Sequence, residues 1–116
     1  MTVGEGLLVV EEPPPRRHTK AIPLSPQSGA LTADTVLFTG ITHWRGYSVR
    51  ENTGSAAARV EIFDGHDNTG TLIGAICLAQ GTSDHQNFGD DGVYCRQGIF
   101  VNVITGSVRG AFYIKD

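Results

Sequence analysis

All five prolines of this 116-residue chain lie within its first 26 residues, and this distribution divides the chain in two. A run at Pro13–Pro15 is followed by Pro23 and Pro26. Because proline fixes φ and has no backbone N–H, a segment this rich in proline cannot continue a helix or lie inside a sheet. The sequence therefore predicts an extended N-terminal arm over residues 1–31 and a folded domain over residues 32–116.

The folded domain reads as β-structure throughout. Val60 and Ile62 alternate with Arg59 and Glu61, and similar alternation recurs between glycine- and aspartate-containing turns. No stretch keeps the 3.6-residue apolar period of an amphipathic helix. The pattern predicts an all-β domain, an antiparallel β-sandwich of about seven strands with jelly-roll or immunoglobulin-like topology.

Individual strands follow from the same alternation. Short apolar runs predict strands at Thr35–Thr39 and Thr42–Glu51, and the alternation places Phe63 and Phe100 on faces opposite the core. The run Leu72–Ala79 is apolar on both faces, so it predicts a strand that is central or covered by a neighbour. We accordingly expect both cysteines, Cys77 and Cys95, to be free and buried.

Composition argues against two classes of partner. The formal net charge is −3 and no basic patch stands out, which disfavours nucleic acid. No apolar window is long enough to span a membrane, and the apolar run Leu7–Val10 is too short for a signal peptide. We expect a soluble protein with no export signal.

Candidate chemical sites are equally sparse. The four histidines are scattered without the close spacing of a metal site. An oxygen-rich loop holds Asp64 and Asp67, but counting from Asp64 the twelfth position, where an EF-hand needs glutamate, is Ala75. Asp90 and Asp91 form a turn signal rather than a catalytic pair. We expect no metal, no cofactor and no catalytic residues, and hence a protein that is not an enzyme.

The single tryptophan leaves two interpretations open. Trp44, together with Tyr47, Tyr94 and Tyr113, is compatible with an exposed aromatic platform that stacks on sugar rings. Trp44 is equally compatible with the edge of the core or a subunit contact, and we favour this second interpretation.

The arm contains its own strand-forming segment. The run Leu7, Leu8, Val9 and Val10 has no hairpin partner nearby, and such a segment can add to the exposed sheet edge of a neighbouring molecule. The roughly 20 residues between this run and the folded domain span about 60 Å if they adopt polyproline geometry. The predicted partner-binding residues are Leu7, Leu8, Val9, Val10, Arg16, Arg17 and Trp44.

Four segments carry a family resemblance. The succession WRGYSVRENTG, AARVEIFDG, GTLIGAICLAQG and QGIFVNVITGSVRGAFYI resembles a group of small β-sandwich proteins among the virion structural proteins of tailed bacteriophages. The matching segments are Val60–Gly65, Leu72–Ala79 and Gly98–Ile114. The chain departs from the pattern at its two cysteines and in the acidic loop Gly89–Gly92.

The resemblance implies a structural role on the capsid, neck or tail of the virion, and within that range we expect a capsid decoration or minor capsid protein that stabilises the head shell. The expected partners are the major capsid protein and copies of itself in a homo-oligomer, for which we expect a trimer; composition already argues against nucleic acid and membrane. The implied location is the capsid surface of the virion after synthesis in the host cytoplasm. The alternative is a carbohydrate- or receptor-binding module of a phage tail or fibre.

Overall fold

A computed structural model describes residues 19–24 and 30–115, and within these ranges the secondary structure is entirely β. The nine strands of the described residues are β1 (Thr19–Pro23), β2 (Thr35–Thr39), β3 (Thr42–Glu51), β4 (Ala58–Asp64), β5 (Thr71–Leu78), β6 (Ser83–Asn87), β7 (Val93–Cys95), β8 (Gly98–Thr105) and β9 (Val108–Lys115). No helix long and apolar enough to cross a membrane occurs in this part of the chain.

The strands form two sheets that pack face to face. The first sheet has the order β1-β9-β3-β6, and the short strand β7 also pairs with β3; the second has the order β2-β8-β4-β5. All of these strand pairs are antiparallel. The predicted antiparallel β-sandwich is therefore confirmed.

The strands pair as the two arms of one long β-hairpin, whose arms then fold over to form two sheets. β4 pairs with β5 across the loop at residues 65–70, β3 with β6 and β7, β2 with β8, and β1 with β9. The additional pairs β9–β3 and β8–β4 close the roll into two sheets. This order is that of a jelly roll, so the structure decides between the two predicted topologies.

The core lies between the sheets and is filled by inward side chains from both. Trp44, Ile62, Val101 and Phe112 are each at most 1% exposed. They belong to one continuous apolar cluster that also takes in Leu24 and Leu31. Because the inward residues recur at every second position along each strand, the alternation seen in the sequence builds this core directly.

The boundary between arm and domain lies earlier in the chain than residue 32. Strand β1 falls within the predicted arm, yet it pairs with β9, and Leu24 donates its backbone N–H to Gly110 O at 2.9 Å. Leu24 and Leu31 are buried in the core. β1 is an edge strand, which is the place in a sheet that tolerates Pro23. A strand can thus extend into proline-rich sequence when it needs a partner on one side only.

Strand β5 also departs from expectation. It lies at the edge of the second sheet, with Leu72 54% exposed and Cys77 exposed, so the predictions of a covered strand and of a buried Cys77 are wrong. Cys95 is buried as predicted, and both thiols are free. Leu72 belongs to a separate surface row rather than to the core.

Candidate interaction surfaces

The predicted partner-binding residues are not brought together by the described structure. Leu7, Leu8, Val9, Val10, Arg16 and Arg17 lie outside the described residues. Trp44 lies on β3 in the first sheet and points into the core.

Trp44 is the centre of an aromatic cluster rather than a contact residue. Its ring centroid lies 4.9 Å from those of Phe112 and Phe88 and 5.9 Å from that of Tyr47. With 1% exposure, the indole has no surface with which to meet a partner or stack on a sugar. This corrects its predicted place at a sandwich edge or subunit contact.

The exposed aromatic residues of the first sheet do not form a flat platform. Tyr94 on β7 is 52% exposed and its ring lies 5.1 Å from that of His43 on β3. The two ring planes are inclined by 45°. They therefore present an angled pair rather than a flat two-ring platform.

An apolar row crosses the outside of the second sheet. Val36 pairs with Phe100, Phe100 with Phe63, and Phe63 with Leu72, so one apolar side chain from each of the four strands lies in line. Phe63 and Phe100 point away from the core, because their neighbours Ile62, Ile99 and Val101 point into it. Val36 and Leu72 lie directly opposite these two rings in the strand register and so share the outer face. We call Val36, Phe100, Phe63 and Leu72 the outer apolar row.

The outer apolar row is covered at its centre and open at its ends. Phe63 and Phe100 are 8% exposed, with ring centroids 6.4 Å apart, whereas Val36 is 42% and Leu72 54% exposed. The apolar area that a partner can reach on this face is therefore that of Val36 and Leu72, and exposed apolar side chains of this kind mark protein-contact sites when they occur together. The row is therefore a candidate protein-contact surface.

The outer face of the first sheet carries positive charge rather than apolar side chains. Its strands present the cationic side chains of Arg45, Arg50, Arg109 and Lys115. In the described residues, no aspartate or glutamate occupies an outward position on these strands, since Asp84 and Glu51 lie on the inward side. Asp90, in the loop after β6, pairs with Arg45 at 3.0 Å.

Two of these cations are direct cross-strand neighbours. Arg109 on β9 lies opposite Arg50 on β3, and Arg50 lies opposite Ser83 on β6. Both arginines are exposed, and they line a surface cavity of about 250 Å³ together with Ser48 and Ser83. We call Arg50, Arg109, Ser48 and Ser83 the arginine pair site.

The carboxylate of Asp64, which begins the oxygen-rich loop, stabilises the fold by binding the segment just before β8. The Asp64 carboxylate accepts backbone N–H bonds from Arg96 at 2.9 Å, Gln97 at 2.8 Å and Gly98 at 3.3 Å. Burial opposes ionisation of Asp64, but these donors outweigh it and lower the pKa of the carboxyl.

The polar cleft beside the loop has a volume of about 680 Å³. Across the described residues, no cluster of three or more histidine, cysteine, aspartate or glutamate side chains is placed to hold a metal ion.

Two further buried polar groups are satisfied within the fold. Glu51 is 0% exposed and accepts hydrogen bonds from Thr53, Gly54 and Gly81. The Tyr47 hydroxyl donates to Asp84 at 2.7 Å, and burial, followed by this bond, raises the pKa of Tyr47. Both groups hold strands and turns together.

The remaining buried titratable group is a thiol. Burial, reinforced by the charge of Asp64, raises the pKa of Cys95 to about 11. Cys95 is thus protonated at neutral pH, which leaves it without the thiolate that nucleophilic chemistry needs.

Comparison with known proteins adds no relative: no protein-family model, no curated protein and no solved structure matches the chain.

Sequence reasoning placed four members of these surfaces on outward faces but did not assemble the surfaces, and it wrongly expected the strand of Leu72 to be covered. The alternation already puts Arg50, Arg109, Phe63 and Phe100 on outward faces. What it lacks is the strand order, since Arg50 and Arg109 are 59 positions apart and meet only because β9 pairs with β3. The alternation of residues within one strand does not indicate which other strand will pair with it.

Proposed function

We propose that this chain is a virion structural protein of the capsid-decoration or minor-capsid type, which binds the head shell and associates with copies of itself. The observation that carries the proposal is the outer apolar row. Its two ends, Val36 at 42% exposure and Leu72 at 54%, offer apolar surface outside the core for packing against another protein, and the buried Phe63 and Phe100 connect them.

The topology supports the same proposal. Jelly rolls recur in viral capsid proteins and in lectins, so the strand order fits the family that the sequence segments resemble. This support is an analogy at the level of fold, since one fold serves many functions. The outer apolar row supports the proposal more specifically, because it is a feature of this chain and not of the fold in general.

The link between arm and sandwich fits an attachment role. Residues 1–18 lead directly into β1, which is held to β9 by five paired positions from Thr19 to Pro23. A partner bound to the arm would therefore be connected to a hydrogen-bonded strand. In an oligomer, several arms would bind at high effective local concentration, which gives firm attachment from individually weak contacts.

The alternative, a carbohydrate-binding module, has less support. The carbohydrate-binding alternative depended mainly on an exposed Trp44, but the indole of Trp44 lies in the core. Tyr94 remains exposed, but its ring is inclined by 45° to that of the half-buried His43, so the two rings provide no flat platform.

The proposal is tested by adding the purified protein to head shells that lack it and imaging the shells. We expect ordered extra density on the shell surface and a homo-oligomer in solution. The double variant Val36→Asp with Leu72→Asp should dissociate to monomers and bind shells more weakly, because the charges disrupt the ends of the row. The matched control is Ile41→Asp, at a position that is 68% exposed and outside the row.

Two results would contradict the proposal. Absence of the wild-type protein from the shells would refute the virion role. Shell binding and oligomerisation that the double variant retains at wild-type levels would remove the outer apolar row as the contact surface.

A further inference from the structure

The arginine pair site is electrostatically unfavourable for the isolated protein. Residues directly opposite on antiparallel strands have Cβ atoms about 4.5–5.5 Å apart, and like charges in that position destabilise a sheet. Ion pairs among the described residues join Arg45 to Asp90 and Arg59 to Glu61. Neither Arg50 nor Arg109 forms one within those residues.

The surroundings extend this cationic character. Lys115 and Arg45 lie on the same outer face, and the described strands of the first sheet place no carboxylate there. Asp90, in the loop after β6, pairs with Arg45. The chain nevertheless carries a net charge of −3, so positive charge is concentrated here against the overall balance. A local field of this kind attracts anionic groups of a partner.

The side chains present also indicate the chemistry of that anion. A guanidinium offers a planar fork of donors that fits a carboxylate in a bidentate pair. Ser48 and Ser83 line the same cavity and add hydroxyl donors beside the two forks. A nucleic acid fits less well, because phosphate backbones require a more extended basic surface and the chain as a whole is acidic.

We propose that the arginine pair site binds an acidic segment of a partner protein, whose carboxylates pair with Arg50 and Arg109. Binding would supply the negative charge that the pair lacks and so relieve its repulsion. This inference does not rest on the virion role, because it concerns the isolated protein and a segment of defined chemistry.

The test is a titration of the isotope-labelled full chain with a hexaglutamate peptide at low ionic strength, followed by NMR. We expect the signals of Ser48, Arg50, Ser83 and Arg109 to shift together and the shifts to decrease as salt is added. Arg50→Gln with Arg109→Gln should weaken binding at least about tenfold, the scale of losing one or two charge-assisted hydrogen bonds. Arg59→Gln, an exposed arginine on the second sheet, is the matched control and should bind as the wild type does.

A stability measurement separates this binding role from a structural one. Because Arg50 and Arg109 repel each other, Arg109→Gln alone should leave the melting temperature unchanged or raise it. A clear fall in melting temperature would show that Arg109 supports the fold, and would overturn the proposal.

Two titration results would also overturn it. One is an equal loss of peptide binding in Arg59→Gln. The other is that inorganic phosphate or a DNA oligonucleotide, at matched charge concentration, shifts the same signals as strongly as hexaglutamate, which would identify a general anion site.

Discussion

At the scale of the residue, Trp44 shows how one glycine makes room for one ring. A Cβ atom added to Gly74 on β5 would lie 2.9 Å from Cζ3 and 3.0 Å from Cη2 of the indole. The indole therefore reaches across the sandwich to the backbone of the opposite sheet. Phe112 and Phe88 close around it at 4.9 Å, which leaves the ring little freedom to move aside.

Replacing Trp44 by alanine should destabilise the fold by roughly 3–5 kcal/mol, because a cavity replaces the largest side chain of the core. Urea unfolding followed by circular dichroism measures this directly. Tyr94→Ala is the control, since Tyr94 is 52% exposed and its loss should cost far less. Equal stability of the two variants would contradict the central place assigned to Trp44.

Glu51 is a second residue whose role is set by its contacts. Its carboxylate accepts a hydrogen bond from the Thr53 hydroxyl at 2.6 Å, and from the backbone N–H groups of Thr53, Gly54 and Gly81 at 2.6–2.9 Å. The Thr53 hydroxyl bond, followed by burial acting in the opposite direction and then by the backbone donors, lowers the pKa of Glu51 from 4.5 to about 2. One side chain thus joins the turn after β3 to the turn between β5 and β6.

This depressed pKa predicts a pH dependence of stability. As the pH falls, the unfolded chain takes up the proton first, so the contribution of Glu51 is complete above pH 4.5 and is lost as the pH falls from 4.5 to about 2. Urea midpoints measured for the wild type and Glu51→Gln should differ most near neutral pH and converge in acid. Asp64 and Asp67, whose pKa values are also lowered, are present in both proteins and cancel from the comparison. A difference that is constant from pH 7 to pH 2 would contradict this assignment.

At the scale of the element, β1 is the strand that completes the long hairpin. Without it, β9 would become an edge with unpaired backbone groups, and Leu24 would no longer fill its place in the core. An unpaired edge strand is a site for aggregation. The strand therefore belongs to the domain although its sequence is part of the proline-rich segment.

Two truncations distinguish the arm from this strand. Deleting residues 1–18 should retain the β-type circular dichroism with a small change in stability. Deleting residues 1–24 should cost a further 2–5 kcal/mol or so, the range for losing a buried leucine, and should promote aggregation through β9. Chemical denaturation and light scattering measure the two effects. Similar stability of both truncated proteins would show that β1 contributes little to the fold.

At the scale of the whole molecule, the two outer faces differ in kind. The first sheet presents cations and small polar side chains, and the second presents the outer apolar row. The sandwich separates them by two sheets and a core, about 10 Å between sheet planes, so each face can contact a different partner without competition. The two proposals made above assign these faces separately, one to association with copies of the chain and the other to an acidic partner.

The sequence alone determined the local features of this protein. The strands Thr35–Thr39 and Thr42–Glu51 were predicted with the bounds that the structure shows, and Phe63 and Phe100 were correctly placed opposite the core. These features depend on the two-residue period of a strand, which every strand displays in its own sequence. The all-β class follows from the same property.

Only the tertiary structure decided which strands are neighbours. That Arg109 lies opposite Arg50, that β5 is an edge, and that Trp44 is enclosed by residues from other strands all depend on pairing between distant segments. The jelly-roll order and the inclusion of Thr19–Pro23 depend on it as well. Alternation states which face a side chain takes but not which strand lies beside it, because pairing is fixed by the packing of the whole chain.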